Sequence, residues 1–279
     1  MITIQDFSFT YKGEKKPALQ DVCLTVPEGG FLGVIGPAGA GKTTLARAVS
    51  GMIPHHYTGD YYGRVSVNGL DTVETSLSDI SRLVGMVFQD VESQIISPMV
   101  EDEILYGLEN FSVPREEIPA RIEEALQKVG IADLRERTIG SLSGGQRQKV
   151  AIASIIALKP QILVMDEPTG ELDPRSSRQV FSLLKELNEE HGVTVIIIEQ
   201  KIMLLCEFAR QLAVLSEGRI VRQGDTRDVL AHSEELEALG VNCPRVTTLS
   251  RILGEKTGER QPACINLDEA EAMVRRLIG

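Results

Sequence analysis

No apolar run in this 279-residue sequence approaches the ~20 residues that a membrane-spanning helix needs. Apolar runs such as "VTVIII" and "ILVM" are strand-sized, and no charged-then-apolar leader opens the chain. A soluble, cytoplasmic protein is the expectation. Cysteine is scarce: Cys23, Cys206, Cys243 and Cys264 lie far apart with no paired metal spacing. That argues against both a zinc site and a disulfide framework and predicts free, structural thiols. Basic residues are outnumbered, 29 Lys and Arg against 40 Asp and Glu. A net charge of -11 repels polyphosphate backbones and speaks against nucleic acid as the main partner. No repeat or low-complexity segment is evident.

What is present fills one large α/β domain with an appendage, since 42% of the residues are hydrophobic and the chain is long enough to bury them. "FLGVIG", "LVGMVF", "ILVMDE", "TVIIIE" and "LAVLSEG" are short apolar runs separated mostly by helical patterns, which predicts a largely parallel sheet buried on both faces. Ile118, Ile122, Ala125, Leu126 and Val129 recur at helical spacing before Gly130, predicting a helix over about 115–129 with a glycine stop. "GRVSVNGLD" alternates around an Asn-Gly turn and predicts antiparallel strands beside the main sheet; "VLSEGRIVRQGD" reads as a hairpin. Residues 240–262 mix Pro, Gly and charge, after which "NLDEAEAMVRRLIG" resumes helical spacing with Asn266 as N-cap and Glu269 three positions on. His55 and His56 match no motif and read as solvated loop residues.

The chemistry starts at "GPAGAGKTT", which matches G-x-x-x-x-G-K-[ST] between a strand and a helix. Gly36, Gly39 and Gly41 let the backbone N–H groups of the loop, which also holds Pro37, Ala38 and Ala40, turn inward around phosphate oxygens; Thr44 continues into the helix. Lys42 is placed to reach β/γ-phosphates and Thr43 to hold Mg²⁺. "ILVMDEP" ends an apolar strand in two acids, suited to a division of labour in which Asp166 holds Mg²⁺ through water and Glu167 polarises an attacking water. A solvated strand end is the bland alternative, weakened by the phosphate loop. "SLSGGQ" supplies a second anion-binding helix start at Ser143, one more than a single phosphate loop requires.

In that order, "GPAGAGKTT", "LSGGQ" and "ILVMDEP" resemble the motifs of the ATP-binding cassette (ABC) family. The resemblance implies an α/β P-loop NTPase fold with a mostly parallel core sheet, an N-terminal antiparallel β subdomain and a helical signature subdomain at about 90–155, all within an ATP-binding domain of residues 1–228. A small C-terminal accessory region would occupy 229–279. It also implies an ATPase that pairs head to tail with a second ABC ATPase subunit, so that Ser143, Gly144, Gly145 and Gln146 contact the γ-phosphate of the partner's nucleotide. Tyr11 looks like the aromatic that stacks on adenine, with a core tyrosine as the alternative. Gln89 looks like the Q-loop glutamine that touches Mg²⁺ and senses the membrane partner, and Asp173 like the D-loop aspartate, although Glu171 departs from the small residues usual before it. Gln200 stands where the family places a histidine on the γ-phosphate. Either Gln200 makes this site the slower half of a heterodimer, or it suffices because Glu167 is the base.

"DVESQIISPMVEDEILYGLEN" and the ending of the chain are similar to the energy-coupling-factor branch, the cobalt and vitamin importer ATPases. That likeness implies peripheral attachment to the cytoplasmic face of the membrane through an integral coupling protein, with a separate membrane subunit reading the substrate. The apolar "SQIISPM" fits a docking groove as well as an ordinary core segment. A soluble cassette acting on ribosomes or DNA would ordinarily carry a tandem cassette, an extended coiled coil or a basic face, none of which the sequence shows.

Overall fold

The structure, a computed structural model, describes residues 1–258 and 261–278. The chain begins with β1 (Ile2–Tyr11), β2 (Leu19–Val26), β3 (Phe31–Ile35), α1 (Lys42–Val49) and the single turn α2 (Met52–His55). β4 (Gly59–Val67), β5 (Leu70–Asp71) and α3 (Leu77–Ser81) lead to β6 (Val84–Val87). The helices α4 (Val100–Asn110), α5 (Ile118–Val129) and α6 (Gly144–Ala157) precede β7 (Ile162–Asp166), α7 (Pro174–His191), β8 (Thr194–Ile198) and α8 (Ile202–Phe208). β9 (Gln211–Ser216) and β10 (Arg219–Asp225) are followed by α9 (Thr226–Leu230), α10 (Ser233–Ala238), α11 (Arg245–Thr257) and α12 (Leu267–Ile278).

The five apolar runs become five parallel neighbours. The central sheet is ordered β10-β9-β3-β8-β7-β6, with only the edge strand β10 antiparallel. Every residue of β3, β6, β7 and β8 is buried, which is why these strands read as continuous runs and not as alternation. Leu163, Met165, Val195 and Ile197 face the layer containing α4 to α8, while Val164, Ile196 and Ile198 face α1 and the antiparallel sheet β2-β1-β4-β5. β10 alternates between exposed and half-buried positions, as an edge does.

Local signals hold where their chemistry is strict. Asn68 and Gly69 have φ of 49° and 81°, the left-handed pair that a two-residue hairpin turn demands. Gly130 ends α5 at φ 69°. That helix starts at Ile118, later than its periodicity suggests, because Pro119 fits only the first turn. Asn266 Oδ1 accepts the N–H of Glu269 at 2.9 Å, capping α12. His55 and His56 are exposed, as read, but His55 lies in the α2 turn and not in a loop, and its Nε2 donates to Thr72 O at 2.8 Å. The four cysteines are free, and burial pushes the Cys206 thiol up to about 12 and Cys243 to about 11, so neither is a thiolate at neutral pH.

Residues 229–241 bury Val229, Leu230, Leu236 and Val241 in the main core, whereas Val246, Cys264, Ala270 and Met273 form a small cluster of their own between α11 and α12. Among the described residues no helix is long and apolar enough to cross a membrane.

One buried amide ties the layers together. Asn188 Nδ2, on α7, donates to Gly29 O at 2.9 Å and Val193 O at 2.8 Å, holding the turn before β3 to the start of β8. Asn188→Leu keeps the volume but strands those carbonyls, and should cost roughly 1–3 kcal/mol. The check is a lower denaturant midpoint at unchanged slope; an unchanged midpoint would show that the amide is dispensable.

Candidate functional site

At the end of β3 the backbone turns through Gly36, Pro37, Ala38, Gly39, Ala40 and Gly41 into α1. A Cβ on Gly36 would stand 2.1 Å from Leu215 O, and one on Gly41, whose φ is 103°, 2.5 Å from Ala18 O. The loop therefore lies flush on the β9 end and on the turn before β2, a close approach open only to glycine. No side chain caps α1, so its first N–H groups point into the loop. Lys42 is buried, and its Nζ donates to Gly36 O at 2.8 Å and Pro37 O at 2.9 Å, closing the loop on itself. Burial pulls the Lys42 pKa down, with Glu167 and then Asp166 pushing it back up.

Asp166 ends β7 and is 2% exposed. Burial raises its carboxyl above the ordinary range, against a hydrogen bond with the Thr43 hydroxyl; Glu167 adds to the rise and Lys42 opposes it. Glu167, the next residue, has a left-handed backbone with φ 51°, held by its N–H donating to Ile198 O at 2.9 Å. That geometry turns its carboxylate toward two neighbours. Gln89 Nε2 donates to Glu167 Oε2 at 3.1 Å, and Gln200 Nε2 donates to Glu167 Oε1 at 2.6 Å. The three residues follow three adjacent parallel strands, β6, β7 and β8, so strand order brings them together. Gln200 thus sits on the acid predicted to be the base.

Tyr11, at the end of β1, is half-buried. Its hydroxyl lies 3.2 Å from Thr44 Oγ1 and accepts from Arg47 Nη1 at 3.0 Å, while its ring meets Phe9 and Tyr57 edge-on. The structure therefore ties it to the helix of the phosphate loop and also to the aromatic side of the antiparallel sheet. Ser143 caps α6 in a reciprocal box: its Oγ accepts from Gln146 N at 3.3 Å, and Gln146 Oε1 accepts from Ser143 N at 2.9 Å. Gly144 and Gly145 lie against Glu171, and these residues line a cleft with Leu172 and Asp173 in which none of residues 36–44 takes part. Asp173 caps α7, accepting from Arg175 N and Ser176 N at 2.9 and 3.0 Å; the Ser176 contacts draw its carboxyl below the usual range.

Three residues escaped the sequence reading. Arg47 lies over the Tyr57 ring, 4.1 Å from its centroid, and orients Tyr11. Glu199 and Lys201, which flank Gln200, are packed inward on the loop after Glu167. The available signal was the pair of opposite charges closing an apolar strand, which reads as solvent-facing unless the loop opposite is known.

A family model described as ABC transporter matches residues 19–170. A Pyrococcus abyssi protein named as an ABC transporter ATP-binding protein is 39% identical over 276 residues, 99% of this chain and 98% of its own length. Among solved structures, cbiO1 of Clostridium perfringens, part of the ABC transporter complex cbiONQ, is 28% identical with a TM-score of 0.74, covering 90% of this chain and 98% of that one. A dimeric ATP-binding cassette in a post-hydrolysis state, bound to ADP and Pi, is 28% identical with a TM-score of 0.73, covering 81% of this chain and 99% of that one.

The raised Asp166 carboxyl has a consequence for stability. Its ionised form costs folding free energy at any pH above its folded pKa, and the cost disappears once the group is protonated at lower pH. Asp166→Asn is expected to raise the melting temperature of the nucleotide-free chain near neutral pH, with the gain shrinking as the pH falls toward about 4. A melting temperature at neutral pH that is unchanged or lowered would contradict this assignment of the dominant force on Asp166.

Proposed function

The chain belongs to the ABC transporter family, and on that premise we propose that it is the ATP-hydrolysing subunit of an energy-coupling-factor type importer of a vitamin or transition metal. The observation that carries the hydrolytic reading is the convergence of Gln89, Glu167 and Gln200 at three strand ends, next to the phosphate loop that Lys42 closes. The site also fits the metal that such chemistry uses: Thr43 and Asp166 offer adjacent oxygen donors, the hard ligands that suit Mg²⁺, with Gln89 as a third. Mg²⁺, when bound, would neutralise charge on the β- and γ-phosphate oxygens. The chain's own groups do the rest. Backbone N–H groups of residues 36–44 and the Lys42 ammonium hold the phosphates of ATP, Tyr11 supports the adenine, and Glu167 takes the proton of the attacking water while two amides fix its carboxylate. The products are ADP and phosphate.

The signature cleft, which excludes residues 36–44, supports a head-to-tail dimer in which Ser143, Gly144, Gly145 and Gln146 face the partner's γ-phosphate and Asp173 lies at the junction. The dimeric ADP-bound cassette is similar in fold. A heterodimer is favoured over a homodimer because the energy-coupling-factor branch that the chain resembles often pairs two different ATPases, in which case Gln200, a neutral group in place of a charged one, would mark the slower site. Attachment to the cytoplasmic face of the membrane, through an integral coupling protein and alongside a substrate-binding membrane subunit, is supported by the likeness to cbiO1 and by "SQIISPM". There Ile95 packs on the core while Ile96 is 68% exposed, close in sequence to the exposed Tyr106 on α4. The acidic balance speaks against nucleic acid as the main partner. An ATP-binding domain at 1–228, a helical subdomain near 90–155 and an accessory region at 229–279 complete this reading.

Two measurements test it. Glu167→Gln is expected to leave Mg-ATP binding intact and to slow hydrolysis by ~10²- to 10⁴-fold; near-normal turnover would remove Glu167 from the base role. Gln200→His, which restores a group able to carry charge, is expected to raise hydrolysis in the native complex several-fold, up to about tenfold. An unchanged or lower rate would show that Gln200 is no deficit.

A further inference from the structure

The residues on either side of Gln200 form a cradle that the proposed chemistry does not call for. β8 ends in Ile198, and Glu199 follows it at 3% exposure. Its carboxylate is filled from within: Oε2 accepts the Thr169 hydroxyl at 2.5 Å, and Oε1 accepts the N–H groups of Gln200 and Lys201 at 2.9 and 3.2 Å. Lys201 occupies the N-cap position of α8, where a cation opposes the helix dipole and offers no acceptor to the first turn. Its ammonium turns away from that helix. Nζ donates to Thr169 O at 2.5 Å, Leu172 O at 2.9 Å and Ser177 Oγ at 3.0 Å, three acceptors for an ammonium that carries three protons. Thr169 is therefore gripped through its hydroxyl by Glu199 and through its carbonyl by Lys201, and both Thr169 and Ser177 are fully buried.

The held segment connects two sites. It starts at Glu167, whose carboxylate Gln200 engages, and runs to Glu171 and Leu172. A Cβ on Gly144 would lie 3.1 Å from Glu171 Oε2, and one on Gly145 3.1 Å from Glu171 O, so the far end of the segment is packed on the signature loop. The interactions that orient Glu167 and those that seat the signature thus share one short piece of backbone, clamped by one ammonium.

We propose that Lys201 is a positioning residue for ATP turnover: with Glu199, it straps residues 169–172 to the end of β8 so that Glu167, Gln200 and the signature loop hold a single relative placement. This rests on the ATPase reading above. The hydrogen bonds that Lys201 donates go to Glu199, Thr169, Leu172 and Ser177 and to none of residues 36–44, so its loss should misplace the base without weakening nucleotide binding.

The test is Lys201→Met in the full chain, assayed in the complex isolated with its native partners, with ATP affinity of the isolated chain measured in parallel. The expected result is a kcat lowered roughly ten- to hundred-fold, the scale of an ångström-level misplacement, with KM and the ATP Kd within about twofold of the parent. Thr169→Val, which removes the Glu199 contact from the opposite side and keeps the ammonium, is expected to show the same split, and it decides the matter if Lys201→Met does not fold. An unchanged kcat in a folded variant, or parallel losses of kcat and ATP affinity, would overturn the positioning role while leaving the ATPase assignment standing. Absence of ATP hydrolysis by the parent complex would overturn both.

Discussion

The register of three parallel strands is the constraint from which the site follows. β6 pairs with β7 through Val87 and Met165, and β7 with β8 through Asp166 and Ile198, so the three strands end level with one another. Because they are buried on both faces, a slip of one residue would drive apolar side chains out of two packed layers at once. That burial holds the ends level, and the residues just beyond them, Gln89, Glu167 and Gln200, meet as a consequence. The hydrogen bonds among them are short-range, but the force that aligns them is the packing of Leu163, Val164, Ile196 and Ile197 behind them.

Two local costs are accepted at this point and supported by that packing. Glu167 sits in a left-handed backbone conformation, worth on the order of 1–2 kcal/mol for a residue with a Cβ. Asp166 is held in a place where its charge is poorly solvated. Together they place two neighbouring carboxylates under different constraints: one buried beside the Lys42 ammonium, the other aimed by its backbone conformation and by two amides. The Lys42 ammonium answers part of the charge, and the carbonyls of its own loop answer the ammonium.

The C-terminal region is attached at more than one point. A Cβ on Gly240, whose φ is 78°, would lie 3.9 Å from the Pro37 side chain, so the turn after α10 stands beside the glycine-rich loop that follows β3. Farther on, Arg227 of α9 makes a two-pronged pair with Glu269 of α12 at 2.6 and 2.9 Å, which raises the arginine pKa and lowers that of the glutamate. The pair is partly exposed, so it fixes orientation more than it adds stability. The small α11–α12 core is too slight to stand alone, and its hold on the main body runs through such contacts and through residues 229–241.

What the sequence determined by itself is whatever depends on neighbours along the chain. Apolar runs bounded by turns gave a parallel, doubly covered sheet; Asn68-Gly69, Gly130 and Asn266 acted through their own backbone requirements; and the glycines of the phosphate loop were legible because their spacing is the chemistry. The tertiary structure decided what Gln200 touches. Gln89 lies 78 positions from Glu167, and Gln200 lies 33 positions from it, distances over which periodicity carries no information and only strand order and register do. The same holds for Lys201, whose charge at a strand end reads as solvated until the folded loop of residues 169–172 supplies three acceptors for its three protons. Side-chain partners across a sheet are set by burial of the strands that carry them, and burial is a property of the whole fold.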